Sequence, residues 1–173
     1  MIRKASFEDT EAVYEIVNEA YKGGTGKLHG RCQRYNFSVH SDKMKEEMKH
    51  MFVYVEDNEI AGCVKAEFSF GKVLVGPLAV EKQYRRRGVC SKMLTFVEAL
   101  APAVELLTSS SRPELVALYT QRGYREIGRL PLKQWCLTVG LNIGDFERHD
   151  FDVVFFRKTR YVFEDLSVFN FEE

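Results

Sequence analysis

The sequence has no excess of charge of one sign and no long apolar run. Its 173 residues carry 25 Lys and Arg against 25 Asp and Glu, which disfavours nucleic-acid binding through bulk positive charge. The longest apolar stretches fall well short of the ~18 residues that a membrane helix needs. The first nine residues turn acidic where a signal peptide would turn apolar. We therefore expect a cytoplasmic protein with neither nucleic acid nor a membrane as partner.

Cysteine and histidine are few and scattered. Cys32, Cys63, Cys90 and Cys136 include no Cys-x-x-Cys pair. His29 lies three residues before Cys32, but no second pair of possible ligands follows. Zinc sites usually bring their ligands in closely spaced pairs, so we expect no metal. A chain of this length can build its own core without a disulfide framework. Reduced thiols, as in the cytoplasm, are the simplest interpretation.

The chain also lacks repeats and Pro/Ser-rich linkers, which favours one domain. Hydrophobic periodicity predicts strands over 2–5, 51–56, 60–70, 72–80, 104–108, 124–128 and 151–158. It predicts helices after a Ser6–Asp9 capping box, over 43–49, after Gly88, and from a cap at Ser111 with Glu114 to Gly123. From residue 21 to 40 the helical pattern breaks. Strands followed by strand–helix–strand units indicate a single layered α/β or α+β fold.

The turn after the predicted fourth strand is the most informative segment. It reads Arg85-Arg86-Arg87-Gly88-Val89-Cys90-Ser91 and leads from a buried strand into an amphipathic helix. Free N–H groups and the dipole at a helix start bind anions, and glycine lets a phosphate approach closely. Three arginines add charge, so a diphosphate suits this turn. A solvated basic turn or a localisation patch would have the same composition.

Two motifs in this order resemble the GNAT acetyltransferase superfamily. Arg85-x-x-Gly88-x-Cys90 is similar to its (Arg/Gln)-x-x-Gly-x-(Gly/Ala) coenzyme A loop, with Cys90 as a departure. Downstream, the segment 118–124 matches Leu-Tyr-x-x-x-Gly-(Phe/Tyr). The same helix opens with Arg112-x-Glu-Leu, which resembles a largely uncharacterised GNAT subgroup. The resemblance covers residues 2–158 approximately.

The resemblance implies a fold and a domain division. We expect an α/β (α+β layered) GNAT fold: a central, mostly antiparallel mixed sheet of about seven strands with about four flanking helices. The sheet should splay between its fourth and fifth strands. A Gly76-Pro77 pair inside the fourth strand fits a bulge there. Residues 1–158 would form the N-acetyltransferase domain and 159–173 a C-terminal extension.

The resemblance also implies acetyl-CoA as cosubstrate and an acetyl group moved to an amine by direct attack. The coenzyme-binding residues would be Leu78, Ala79, Val80, Arg85, Arg86, Arg87, Gly88, Val89, Cys90 and Ser91. Tyr119 would donate a proton to the departing thiolate, although an aromatic side chain on a helix also serves plain packing. Glu67 is the candidate base on a strand, although alternate strand residues point to solvent.

The resemblance also implies that residues 21–41, between the first two helices, line the acceptor entrance. This segment contains no Asp or Glu, and Arg31 and Arg34 in it are the candidate substrate-binding residues. A positive entrance would favour a small amine that carries a carboxylate or phosphate, unless the charge is incidental. A protein lysine or N-terminus as acceptor, and a non-catalytic coenzyme A sensor, are the alternatives. The acidic, aromatic tail 161–173 is expected to pack on its own domain or on a second subunit, as in a homodimer.

Overall fold

The computed structural model describes residues 1–22, 38–141 and 150–160. The strands are β1 (Ile2–Lys4), β2 (Met51–Glu56), β3 (Glu59–Ser69), β4 (Lys72–Val80), β5 (Ala103–Ser109), β6 (Arg125–Pro131) and β7 (Asp152–Thr159). The α-helices in these residues are α1 (Thr10–Lys22), α2 (Asp42–Lys49), α3 (Val89–Leu100), α4 (Pro113–Gln121) and α5 (Leu132–Val139). The strands form one sheet in the order β1-β2-β3-β4-β5-β7-β6. The predicted mixed, seven-stranded α/β fold is confirmed, with five helices rather than about four among the described residues.

Strands β2, β3 and β4 form the predicted antiparallel meander. The turn between β2 and β3 has Asp57 and Asn58 at φ of 51° and 63°. The turn between β3 and β4 has Phe70 and Gly71 at φ of 47° and 75°. Two residues with positive φ match the right-handed twist of the flanking strands, so both hairpins close without splaying.

The sheet opens between β4 and β5. These strands run parallel, and only Lys72–Leu74 pair with Ala103–Glu105. Farther along β4, Gly76 and Pro77 together face the single residue Lys65 of β3, because Val64 pairs with Leu78 and Ala66 pairs with Val75. Pro77 has no N–H to offer a neighbouring strand. The predicted bulge and splay are therefore confirmed, and the opening is part of the fold.

Apolar cores cover both faces of the sheet. On one face, α3 and α4 pack over the strands, and Val97, Val104 and Phe156 belong to this core. On the other face, α1 and α2 pack over β2 and β3 through residues such as Val17 and Met48. A smaller cluster holds α5 against the start of β7. The bulge sets the β4 side chains, since Val73 before it and Leu78 and Val80 after it all contact the α3–α4 core.

Three local predictions need correction. Helix α1 continues through Tyr21 and Lys22 instead of ending before residue 21. Helix α4 begins after Arg112, with Pro113 in its first turn, and the predicted cap at Ser111 is wrong because the Ser111 hydroxyl pairs with Ser109 at 2.6 Å. Helix α5 was not predicted, although Leu132 and Cys136 are spaced by one helical turn and both are buried.

The Ser6–Asp9 cap is present in a modified form. The Ser6 N–H donates to the Asp9 carboxylate at 2.7 Å, and a short 3-10 turn over Phe7–Asp9 precedes α1. The Arg3 guanidinium also donates to Asp9, at 2.7 and 2.9 Å. Among the described residues, no helix is both long and apolar enough to cross a membrane.

Candidate active site

The start of α3 forms a cleft with unsatisfied backbone donors. Gly88 lies just before the helix at φ of 80°, and no side chain caps it. The first helical hydrogen bond runs from the Lys92 N–H to the Gly88 carbonyl at 3.0 Å, so the N–H groups of residues 89–91 precede the ladder. A Cβ built on Gly88 would meet no other atom within 4 Å. The start of α3 therefore offers free donors and open space, which are what an anion site needs.

This cleft has a volume of about 300 Å³. It is lined by Val80, Tyr84, Arg85, Arg86, Gly88, Val89, Cys90 and Ser91. Seven of these eight residues were predicted from the sequence to bind a coenzyme, and Tyr84 was not. Tyr84 was missed because its ring is uncharged and buried, so nothing in the sequence indicated that it lines an anion site.

Predicted residues at the strand and helix ends contribute through their backbones. The side chains of Ala79 and Val89 are buried in the two opposite cores. Only their N–H and C=O groups can reach a ligand. Leu78 and Val80, by contrast, lie on the unpaired stretch of β4 beside the opening. The backbone groups that β5 does not pair with there suit an extended ligand that pairs with amides, and the Val80 carbonyl also accepts from Arg85.

The three arginines of the turn have different surroundings. The Arg85 Nε–H donates to the Val80 carbonyl at 3.1 Å, which closes the turn onto the end of β4. Arg86 is exposed, with a left-handed φ of 64°. Arg87 lies outside the cleft lining; its guanidinium is 4.0 Å from the Glu56 carboxylate and 5.3 Å from the centre of the Tyr84 ring. The sequence did not distinguish among them.

Tyr119 is buried on the α4 side of the opening. Only 7% of the residue is exposed, and its ring packs at 5.8 Å against both Tyr124 and Phe156. Its hydroxyl makes no hydrogen bond to another described residue. Burial raises the pKa of Tyr119 well above its ordinary value, and the nearby Cys90 thiol and Tyr21 phenol raise it further. The phenol is therefore protonated at neutral pH, the form needed for proton donation.

The opening connects the two faces of the sheet. Tyr21 belongs to the core beneath α1, whereas Tyr119 belongs to the core beneath α4. The Tyr21 phenol contributes to the raised pKa of Tyr119. The sequence analysis missed Tyr21, because the residue was placed in a loop instead of the last turn of α1.

Two further groups adjust the electrostatics near Tyr119. The positive charge of Arg112, whose side chain is 15% exposed, opposes the effect of burial and lowers the pKa of Tyr119. Burial raises the pKa of the Cys90 thiol, so Cys90 stays neutral beside the phenol. Arg112 was noted only as a motif residue, and its role as the N-terminal cap of α4 came from the structure.

Glu67 lies on the opposite face, among paired charges. The Lys65 ammonium is 2.9 Å from the Glu47 carboxylate of α2 and 3.5 Å from that of Glu67. The Lys65 stem crosses β4 over Gly76, where an added Cβ would come within 2.9 Å of Lys65. The Glu67 side chain is 45% exposed, and its ion pair is long. Its carboxylate therefore remains accessible beside the opening.

Arg31, Arg34 and the tail 161–173, which the sequence analysis singled out, lie outside the described residues. Within the described ranges, no group of three or more His, Cys, Asp or Glu side chains is arranged to hold a metal ion. A larger groove of about 410 Å³ lies along α4, β6 and β7, mostly apolar and away from every predicted site residue. The α3 cleft is the better candidate because it carries uncapped donors.

Comparisons with known proteins agree with this geometry. The acetyltransferase (GNAT) domain family model matches residues 24–143. No curated protein is similar enough in sequence to match the chain. A solved ribosomal-protein-alanine N-acetyltransferase from Brucella melitensis is 17% identical, with a TM-score of 0.67 over 92% of this chain and 99% of that one.

Two other solved structures are similar in fold. The ribosomal-protein-S18-alanine N-acetyltransferase from Escherichia coli is 15% identical, with a TM-score of 0.66 over 96% of this chain and 97% of that one. An N-acetyltransferase from Staphylococcus aureus Mu50 is 17% identical, with a TM-score of 0.66 over 92% and 97%. At such identities the likeness concerns the fold.

Proposed function

The chain belongs to the GNAT acetyltransferase family, and from this premise we propose that it transfers an acetyl group from acetyl-CoA to the amine of a small molecule. The observation that carries the proposal is the opening between β4 and β5. It has uncapped N–H groups at one end, and a buried phenol without a hydrogen-bond partner among the described residues lies beside it. Acetyl-CoA supplies an activated thioester when bound. The chain supplies binding, orientation and protons.

The cleft at α3 holds the diphosphate. The N–H groups of residues 89–91 and the positive end of the α3 dipole face it, and Gly88 leaves room for close approach. Arg85 and Arg86 add charge at the rim. Backbone groups of Leu78 and Val80 pair with the amides of the pantetheine arm along the open stretch of β4. A nearby N–H polarises the thioester carbonyl.

Tyr119 donates the proton that the leaving thiolate needs. Its hydroxyl stays protonated at neutral pH because burial raises its pKa. The charge of Arg112 counteracts part of that rise, which makes the phenol a stronger acid than burial alone would allow. The Cys90 thiol beside Tyr119 is small and uncharged. The thiolate of coenzyme A is therefore the base nearest to the phenol once the acetyl group has been transferred.

Glu67 accepts the proton from the attacking amine, directly or through water. It lies on the face opposite to Tyr119, which supports approach of donor and acceptor from opposite sides of the sheet. Its half-exposed carboxylate has, among the described residues, only the long pair with Lys65. Water can therefore carry the proton away from it.

We further propose that the acceptor carries a carboxylate or phosphate that Arg31 and Arg34 bind. Residues 21–41 have no acidic side chain to compete for such a group. The Arg112-x-Glu-Leu opening of α4 supports assignment to the GNAT subgroup that shares it. A cytoplasmic location is part of the same proposal.

A protein N-terminus or lysine is the second candidate acceptor. Two structural neighbours are named ribosomal-protein-alanine N-acetyltransferases, which makes peptides with N-terminal alanine the first to test. The charge of residues 21–41 favours the small anionic amine instead.

One experiment separates these candidates. Acetyl-CoA is titrated into the protein by calorimetry, and thiol release is then followed with a panel of small amines and a panel of N-terminal and lysine peptides. We expect binding, with turnover on amines that carry a carboxylate or phosphate. Turnover on peptides alone would overturn the small-molecule acceptor. Binding without turnover would indicate a coenzyme A sensor, and absence of binding would overturn the donor site.

A further inference from the structure

An acidic hairpin lies directly against the basic turn. The β2–β3 hairpin carries Glu56 and Glu59 on either side of its two-residue turn. Both carboxylates contact residues of the segment 83–87. The positive charge of the turn, which is predicted to bind the diphosphate, is therefore already partly neutralised by carboxylates of the protein itself.

Glu59 fixes the platform beneath Arg87. Its carboxylate accepts from the Tyr84 hydroxyl at 2.8 Å and from the Gln83 amide at 3.0 Å. The Tyr84 residue is 5% exposed, and the Arg87 guanidinium stacks 5.3 Å from its ring centre. A cation above a tyrosine face is attracted by the ring quadrupole. The hairpin thus orients Arg87 through Tyr84.

Glu56 holds the guanidinium directly. The Arg87 and Glu56 side chains, 57% and 28% exposed, are 4.0 Å apart. The other oxygen of Glu56 accepts from the Tyr54 hydroxyl at 3.0 Å, and the Lys92 ammonium donates to that same hydroxyl at 2.8 Å. This arrangement accounts for the absence of Arg87 from the cleft lining, since the carboxylate lies on the hairpin side of the turn.

We propose that Glu56 is a specificity-determining residue of the coenzyme site. Its carboxylate holds Arg87 on the hairpin until the phosphates of a ligand replace the carboxylate as the partner of Arg87. The proposal rests on the proposed function, because the phosphates are those of acetyl-CoA. A ligand must offer enough negative charge to replace the carboxylate. Phosphate-free acyl donors cannot recruit Arg87, whereas a diphosphate can.

The expected effect follows from the geometry of the pair. A partly exposed ion pair at 4.0 Å is weak, so the Glu56→Gln change should tighten acetyl-CoA binding by about two- to five-fold. The amide oxygen of glutamine can still accept from Tyr54, which preserves the hairpin. Binding should also become more sensitive to salt, since Arg87 is then free to pair with phosphate.

The test is calorimetry with acetyl-CoA, inorganic pyrophosphate and S-acetylpantetheine, a phosphate-free donor. The proteins are wild type, E56Q, R87A, the double variant and E46Q; Glu46 is an exposed residue of α2 paired with Lys49. We expect E56Q to bind acetyl-CoA and pyrophosphate more tightly, with no gain in the R87A background, with S-acetylpantetheine or in E46Q.

Each outcome has a distinct meaning. Equal affinities of wild type and E56Q, or an equal gain in E46Q or in the R87A background, would overturn the role of Glu56 while leaving the proposed function intact. If wild type bound pyrophosphate but not acetyl-CoA, the proposed function would fail, and the E56Q comparison with pyrophosphate would still decide the role of Glu56. Binding of neither would overturn both. If E56Q did not fold, Glu56→Asp, with its shorter side chain, should give a smaller gain in the same direction.

Discussion

The two faces of the sheet differ at the opening between β4 and β5. On the α3–α4 face, the Tyr119 hydroxyl and the first N–H groups of α3 lack intramolecular partners among the described residues. On the α1–α2 face, Lys65 is paired with both Glu47 and Glu67. Donors that have no partner within the protein can bind a ligand without breaking an internal hydrogen bond. Groups whose hydrogen bonds and ion pairs are made within the protein contribute mainly to stability.

Glu67 is the exception on the paired face. Its 3.5 Å pair is longer than the 2.9 Å pair of Glu47 with the same lysine, and its side chain is 45% exposed against 20% for Glu47. The comparison therefore predicts that Glu47 acts in stability and Glu67 in proton transfer. The following changes test this division.

Tyr119→Phe should produce the largest effect. Loss of a general acid should lower kcat by about 10²- to 10⁴-fold with little change in the affinity for acetyl-CoA. Tyr124→Phe is the matched control, because its hydroxyl is also buried and its ring packs against Tyr119. Steady-state kinetics of both variants give the comparison. Equal losses in the two would assign Tyr119 to packing. Because burial raises the pKa of Tyr119, wild-type kcat should show no alkaline loss from this group below about pH 10.

Glu67→Gln should lower kcat by about 10²-fold if the carboxylate is the base. Steady-state kinetics of the variant measure this loss. Full activity in the variant would place the base elsewhere and would assign Glu67 to the pairing of Lys65 alone.

Gly88→Ala should weaken acetyl-CoA binding by about ten-fold. The new methyl group occupies the open space before α3, and the positive φ adds strain of about 1–2 kcal/mol. Gly140→Ala has the same left-handed backbone, with φ of 69° against 80°, and equally open surroundings. Both variants should lose similar stability in urea, and only G88A should lose affinity by calorimetry. An equal loss of affinity in G140A would attribute the effect to strain alone.

Glu47→Gln should reduce stability by about 1 kcal/mol, because Lys65 is then left half-buried without its closer partner. Affinity for acetyl-CoA should not change. Urea unfolding and calorimetry measure the two quantities. Glu46→Gln removes an exposed pair on the same helix and should change stability by at most about 0.5 kcal/mol. A ten-fold change in affinity in E47Q would contradict the separation of the two faces.

The smallest effect is the pH dependence that Asp9 contributes. The Arg3 guanidinium lowers the pKa of Asp9 to about 2, although burial opposes this. The stabilisation is fully present above the unfolded pKa of about 4 and is lost as the pH falls from about 4 towards 2. We expect about 1 kcal/mol, since Arg3 is partly exposed. Urea unfolding at pH 7, 4 and 2.5 measures the loss, and Asp9→Asn should remove it. A persistent slope in D9N would assign the pH dependence to other carboxylates.

Much of the fold followed from local signals. The β2–β3–β4 meander was predicted because strand periodicity and turn residues lie within a few positions of each other. Gly76-Pro77 predicted the bulge because proline cannot donate to a ladder. Helix α5 was missed because its eight residues follow a strand and a proline, and its apolar residues are buried only against Phe151 and Val153, which come later in the chain.

For the candidate site, the sequence indicated which residues belong to it but not how their side chains are arranged. The segment 85–91 was identified because a glycine and cations at a helix start are an anion-binding pattern by themselves. The separate environments of Arg85, Arg86 and Arg87 depend on Val80 and Glu56, which no spacing relates to them. The effect of Tyr21 on Tyr119 was equally invisible, because contacts between distant segments leave no periodic trace.

The sequence by itself determined the alternation of strands and helices and the family, and it predicted which residues bind a diphosphate. These depend on interactions within a few residues along the chain. Only the tertiary structure decided that β4 and β5 separate after three residue pairs, that Tyr21 and Tyr119 belong to cores on opposite faces, and that Glu56 pairs with Arg87. Such relations arise when the sheet brings together residues that are far apart in sequence, and their energies depend on burial and distance.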